Sequence, residues 1–397
     1  MTAANPSPQP GSPARLTFAS GGWVILLALI IVIGIVIFAF LGPLRGEKPI
    51  GNGHDPATYG FDLSNLSVAR ESLAASGNPR DFLKSLDNPT TLSGDAIEPR
   101  NATERVKYAV SMDRVIGITI NGESRAYPLQ LMNVHEICND VLGGVPIAVT
   151  YSPLCDSCVI FDRTLNGKVV TFGVSGLLVN SNLVMYDRAQ DSPGDSTAAR
   201  PTHKPSLFSQ LAFCAIAGPA AETRTQLTLV PGTQVCTWAA WFLLHPDTTI
   251  AMPAETDKRR MKATDYERYW QDGKVTFPVV AIEPRSAGDR TVPFSEVAPS
   301  VAPLLDSGMG NMTHIIAVQY PHGWKVIPLA TLVKLIDTST FMSNSAMLGV
   351  RIHWRIVPAR GALVQESEFM PVMVPCRWFA WQAFHPTRAA EIQQVGP

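Results

Sequence analysis

The chain of 397 residues carries a formal net charge of -1 and has no basic block. Nucleic acid and a polybasic membrane patch both require clustered Lys and Arg, so composition excludes them as partners. A content of 46% apolar residues with eight tryptophans describes a chain that packs a core, while six cysteines leave disulfides, a metal site and a redox site all open.

Residues 1–21 are rich in Pro, Ser and Ala and read as a disordered tail. Residues 22–41 read as one transmembrane helix, because Trp23 to Leu41 runs without a charge and at about 1.5 Å per residue roughly matches a hydrocarbon core of about 30 Å. The lipid bilayer is therefore the expected partner of residues 23–41. A cleaved signal has an apolar core of about 7 to 15 residues, and Phe38-Ala39-Phe40-Leu41 is a poor cleavage site. Arg15 precedes the helix and Arg45 and Lys48 follow it, so charge leans weakly towards a cytoplasmic C-terminal part. Residues 42–77, with Gly, Pro and Asn, read as a linker.

The folded part is expected from Asn78, as a strand-rich α+β fold. Val115 to Ile120 runs into Asn121-Gly122 and out through Ser124 to Tyr127; Asn166-Gly167 lies between Cys158–Phe161 and Lys168–Phe172. Both are hairpin signals, since a tight primed turn needs the positive φ that Asn and Gly tolerate. Further strands are predicted at Val145–Tyr151, Leu183–Tyr186 and Leu227–Val230, a helix from Pro128 to Cys138, and an exposed loop from Gln190 to Lys204.

The chain also resembles itself. Cys236-Thr-Trp238-Ala-Ala240-Trp241 through His245-Pro246 recurs as Cys376-Arg-Trp378-Phe-Ala380-Trp381 through His385-Pro386. On a helix each pair of tryptophans and its histidine falls on one face, and the proline ends the helix. Upstream, Ile315–Leu329 echoes Ile116–Leu129 and Gly349–Pro358 echoes Gly144–Pro153, which predicts a first copy over 78–270 and a second over 271–397. The repeated tryptophans and histidines read chiefly as packing. The second copy has no His or Cys opposite His135 and Cys155, with Arg360 falling opposite Cys155, so it reads as degenerate and any chemistry belongs to the first.

Within the first copy, His135 and Cys138 lie three apart on the expected helix, and Cys155 and Cys158 three apart after a strand. Four N and S donors at such intervals suit zinc, and copper equally. The same residues also fit thiol-disulfide exchange at Cys155 and Cys158 with a neighbouring imidazole, a Cys155 nucleophile with His135 as base, or buried thiols with no chemistry. Arg163 and Arg188, each following an aromatic-Asp pair, are candidates for binding an anionic ligand such as a cofactor or, more often for such pairs, for knitting strands together, and Asn180 and Asn182 for lining a polar pocket or only forming a turn. Glu136 is expected to be exposed.

Gly122 to Leu129, Asn133-Val-His135-Glu136-Ile137, Gly143 to Pro146, Tyr151-Ser-Pro153-Leu154-Cys155, Phe161-Asp162-Arg163 and Phe172 to Arg188 together resemble the bacterial and archaeal domain-of-unknown-function 3179 family, over roughly Asn78 to Met252. The resemblance implies an exported or membrane-attached protein, hence an extracytoplasmic soluble part, and names no reaction. The family pattern is Tyr-Cys-Pro-Leu-Cys, where this chain has Ser152 and adds Cys158; an aliphatic residue is usual at Cys138 and Trp at Phe208. His135 and Cys155 are the matching pair. Cys138 and Cys158 remain as a possible disulfide, one able to supply roughly 2–4 kcal/mol in an oxidising compartment. A non-catalytic tethered module that offers its duplicated surface to a protein partner is the alternative expectation.

Overall fold

The computed structural model describes residues 23–24, 26–33, 49–188, 204–254, 256–261, 266–281, 292–293, 311–320, 323–329, 341–343, 352–357, 362–366 and 371–385. Residues 1–49 and 50–397 form two separate units. In the first, residues 23–24 and 26–33 are helical, with their apolar side chains exposed. Among the described residues no helix is long and apolar enough to cross a membrane. The span expected over 22–41 is therefore unsupported by them; its residues 22, 25 and 34–41 lie outside the described set, as do the loop 190–203 and Arg360.

In the second unit the elements that place the site are β1 Arg114–Ile120, β2 Glu123–Pro128, α1 Leu129–His135, β3 Ile137–Leu142, β4 Val145–Ser152, β5 Ser157–Asp162, β6 Thr171–Val179, β7 Asn182–Arg188, β8 Leu207–Ser209 and β9 Cys214–Ala217. There follow β10 Gln234–Thr237, α2 Trp238–Leu244, α3 Asp257–Met261, α4 Glu267–Asp272, β11 His314–Tyr320, β12 Gly323–Pro328, β13 Met373–Arg377 and α5 Trp378–Phe384. The class is strand-rich α+β, as expected. β3, β4 and β5 form an antiparallel meander whose alternate residues face two different cores. Ile137, Ala148, Val159 and Phe161 join one; Cys138, Ile147, Val149, Tyr151, Cys158 and Ile160 join the other. This is the period-2 pattern of a sheet buried on both sides.

Several boundaries differ from expectation. Folding begins well before Asn78: Tyr59 is fully buried, and Leu73 pairs with Val179, so only the start of the expected linker can act as one. The helix after Pro128 ends at His135, because Glu136 takes φ 57°, and Cys138 lies on a strand. Asn121-Gly122 turns β1 into β2 with both φ values positive. Asn166-Gly167 turns only a two-residue hairpin, Thr164–Leu165 with Lys168–Val169. Leu227–Val230 makes one isolated bridge, Phe161 to Leu229, in place of a strand.

The two segments that resemble each other adopt matching registers. Val115 lies opposite Pro128 on one side and Cys236 on the other, and Ile315 lies opposite Pro328 and Cys376. Trp238 N–H donates to Asp113 O at 2.8 Å, Trp378 N–H to Thr313 O at 2.9 Å. Each helix ends on its histidine, with φ −129° at His245 and −130° at His385, and each histidine stacks on the preceding tryptophan. β1 needs a glycine here: a Cβ on Gly117 would stand 2.2 Å from the Trp241 ring.

A thiol and carboxyl site at the end of β4

β4 ends at Ser152, and Pro153-Leu154-Cys155 forms a single 3-10 turn. Asp156, at φ 45°, reverses the chain into β5. Asp156 is buried and accepts from Tyr151 Oη at 2.7 Å, from Arg377 at 2.9 Å and from Arg114 at 3.3 Å, with His314 Nε2 3.8 Å away. Burial alone would raise its pKa; the surrounding cations, Arg114 first, outweigh that and hold it below the ordinary value. His314 itself is pushed down to about 4 by burial and so is neutral at neutral pH. The two arginines, which both lie against the Trp270 ring, carry the balance. Trp270 Nε1 donates to Pro153 O at 2.9 Å, so α4 closes over the turn.

The turn presents Cys155 to a buried polar cluster. Its Sγ lies 3.3 Å from Ser181 O, with Asn182 and Ser152 beside it. Asn182 Nδ2 donates to Ser157 Oγ at 3.0 Å and Gln210 Oε1 at 2.9 Å, and Gln210 Nε2 donates to Thr150 Oγ1 at 2.9 Å. Buried polar groups partnered in this way define one arrangement of the turn, since any break leaves several of them unmatched. Burial pushes the Cys155 thiol up to about 12, so the resting group is a neutral thiol.

Glu136 is the residue that sequence reasoning placed wrongly. It is partly buried, and its carboxyl makes no hydrogen bond or ion pair with the described residues; burial lifts it to about 8. Its charge acts on Cys155 and on Tyr266, the residue before α4. A non-glycine residue at φ 57° is a strained position, and such strain persists where the surroundings enforce it. The available signal was the sequence Leu-Met-Asn-Val-His-Glu-Ile-Cys, in which alternation replaces helical spacing after His135 and turns Glu136 inward.

The other candidates are not gathered around Cys155. Lys84 O can only accept, so His135 Nδ1 carries the hydrogen of their 2.7 Å contact; Nε2 stands 3.2 Å from Asp257 Oδ2 without the alignment of a hydrogen bond. No described contact joins His135 to Cys155. Cys138 and Cys158 line the core on the far face of the meander, and all six cysteines are free. They sit on β3 and β5, two strands apart, so their backbones are roughly 10 Å apart, too far for the expected disulfide. Cys155 joins the opposite core from Cys158, which separates the expected C-x2-C pair. Among the described residues no three His, Cys, Asp or Glu side chains could hold a metal ion, so the expected His135, Cys138, Cys155 and Cys158 set for zinc or copper is not assembled.

The cofactor candidates are engaged by the protein itself. Arg163 donates to the carbonyls of Ile147, Val170 and Asp140. Arg188 pairs with Asp87. Asn180 Oδ1 accepts from Val280 N–H at 2.7 Å, and Asn182 belongs to the Gln210 cluster. Cys376, which sequence reasoning passed over as a site residue, is a further fully buried free thiol and an electrostatic neighbour of Cys155.

A strand-rich α+β unit with a buried neutral thiol, Cys155, on the turn after β4 and a carboxyl of raised pKa, Glu136, at the end of α1 is the class defined by these features. The chain matches the family described as Protein of unknown function (DUF3179) over residues 85–299, more than half its length, and it belongs to that family. No curated protein and no solved structure matches it.

Proposed function

We propose that the chain is a membrane-tethered, extracytoplasmic protein that performs thiol-disulfide exchange at Cys155, with Glu136 as the proton relay. The observation that carries this reading is the carboxyl of Glu136, which has no hydrogen bond or ion pair among the described residues and is lifted to about 8, as an electrostatic neighbour of a thiol lifted to about 12. A thiol so seldom ionised exchanges slowly by itself. A protonated carboxyl assists it, giving its proton to the departing sulfur while taking the Cys155 proton. In that step the Cys155 sulfur joins one sulfur of a partner's disulfide, the partner's S–S bond breaks, and the released thiol leaves with the proton. No free thiolate accumulates.

The expected result is a pH profile of unusual sign. An ordinary thiol reacts faster as pH rises towards about 8.5; Cys155 should slow above about 8, where Glu136 loses its proton. Timed labelling of the intact chain with 2,2′-dithiodipyridine, followed by peptide mapping, reads the rate at Cys155 alone. Glu136→Gln should slow it by roughly a hundredfold, the low end of general acid-base contributions. If Cys155 is labelled only in denaturant, the reading fails.

The tether rests on the uncharged run Trp23 to Leu41, and the orientation on family membership, against the weak lean of Arg45 and Lys48. Full-length protein should sediment with membranes and resist carbonate extraction, and protease added outside intact cells should digest the part after residue 49. A chain that is extracted by carbonate is not tethered by this segment.

A further inference from the structure

The two tryptophan-histidine helices end alike but in different company. At the second, three rings, Trp324, Trp381 and His385, hold Phe213, whose ring stacks on His385 at 5.2 Å and on Trp324 at 5.6 Å between centroids. His385 Nε2 lies 2.8 Å from Leu211 O and donates to it. The occupant is therefore a main-chain carbonyl followed two residues later by an aromatic side chain.

At the first helix the box is incomplete. His245 stacks on Trp241 at 3.9 Å, but the register that places Trp324 opposite Gln319 places Ser124 opposite Thr119, so a hydroxyl stands where the second box has an indole. Ser124 Oγ lies 3.4 Å from His245 Nδ1. The space remains as a cleft of about 410 Å³ bordered by Glu123, Ser124, Arg125, His245, Asp247 and Thr249. Burial lowers the His245 pKa, so the ring is neutral at neutral pH. In the tautomer where Ser124 donates to Nδ1, the ring hydrogen sits on Nε2, which has no partner among the described residues. Arg125 is neutralised by Asp140 at 2.6 Å, whereas Glu123 and Asp247 are exposed at the rim and make no ion pair among the described residues, so the rim is acidic.

We propose that the cleft beside His245 docks a segment of a partner protein that presents an aromatic side chain two residues beyond an accessible main-chain carbonyl, with basic residues on either side. The carbonyl accepts from His245 Nε2, the ring lies against His245, and the basic neighbours meet Glu123 and Asp247. The chain's own Leu211–Phe213 segment cannot be the occupant, because it already fills the second box. Electrostatics at the rim give specificity and salt dependence, and the ring supplies most of the affinity.

The test uses the full chain and the peptide acetyl-Lys-Leu-Ala-Phe-Lys-amide. Ring stacking should move the His245 Cε1 proton upfield in a saturable way, the resonance being assigned by its loss in His245→Ala. Calorimetry should show binding at least fivefold weaker in His245→Ala and at least fivefold weaker in 0.5 M salt. A peptide with Ala for Phe should bind at least tenfold more weakly. Ser124→Trp restores the missing wall and should tighten binding at least fivefold, which a merely damaged fold could not do. The proposal is overturned if millimolar peptide gives no saturable shift, if the Phe and Ala peptides bind equally, or if Ser124→Trp leaves affinity unchanged or lower.

Discussion

Asp156→Ala should lower the stability of the folded unit by about 3–5 kcal/mol, the cost of leaving buried charges without their partner. Arg114 and Arg377 both converge on this one carboxylate, and neither has another acidic partner within ion-pair distance among the described residues. Urea unfolding followed by tryptophan fluorescence measures the change, as a lower midpoint with the slope unchanged. Asp156→Asn should cost less, because its amide oxygen still accepts from Tyr151 Oη. The pH dependence has a definite sign. With the folded pKa below the unfolded value of about 3.9, the contribution is complete above that value and is lost as pH falls through the folded one. The asparagine variant should therefore show a flatter loss of stability in acid. A midpoint for Asp156→Ala within about 0.5 kcal/mol of the parent would mean that the arginines are solvated without it.

Glu136→Gln should act in the opposite direction and stabilise the protein. The folded carboxyl titrates at about 8 and the unfolded one at about 4.3. Between these values the folded state holds the proton more tightly, so stability declines as pH rises from about 4 to about 8 and is level beyond. Glutamine removes that decline, with a gain of about 3 kcal/mol or more at pH 9 and nearly none at pH 4. Urea midpoints at the two pH values test this directly; equal gains at both would show that Glu136 is ionised in the fold throughout. The same variant is expected to slow exchange at Cys155. Higher stability with lower activity is the pattern of a residue kept for work and not for packing.

Much of the sheet was legible because local patterns and tertiary burial agree. β1 and β2 followed from Asn121-Gly122 between alternating segments, and the repeat of Cys, Trp and His placed both terminal helices. The site was less legible. Cys155 was singled out as a ligand or reactive thiol, but its partners were sought by sequence interval, and an interval of three means one face only on a helix. Cys138 lies on a strand, so that inference pointed the wrong way. Asp156 drew no attention, because its meaning comes from Arg114 and Arg377, which tertiary contacts bring to it. Glu136 was misread for a related reason: helical geometry was carried one residue too far, past the positive φ that turns it inward.

The Asp156 contacts also set an order of events. Arg114 lies upstream of the Cys155 turn, but Arg377 lies 221 residues downstream of Asp156. A long-range contact of this kind closes late. Until β13 has been made and has paired with β11, the carboxylate has lost its water without both of its cations, and the turn that aims Cys155 is not yet fixed. The turn that aims Cys155 is thus completed by a contact that closes late in folding.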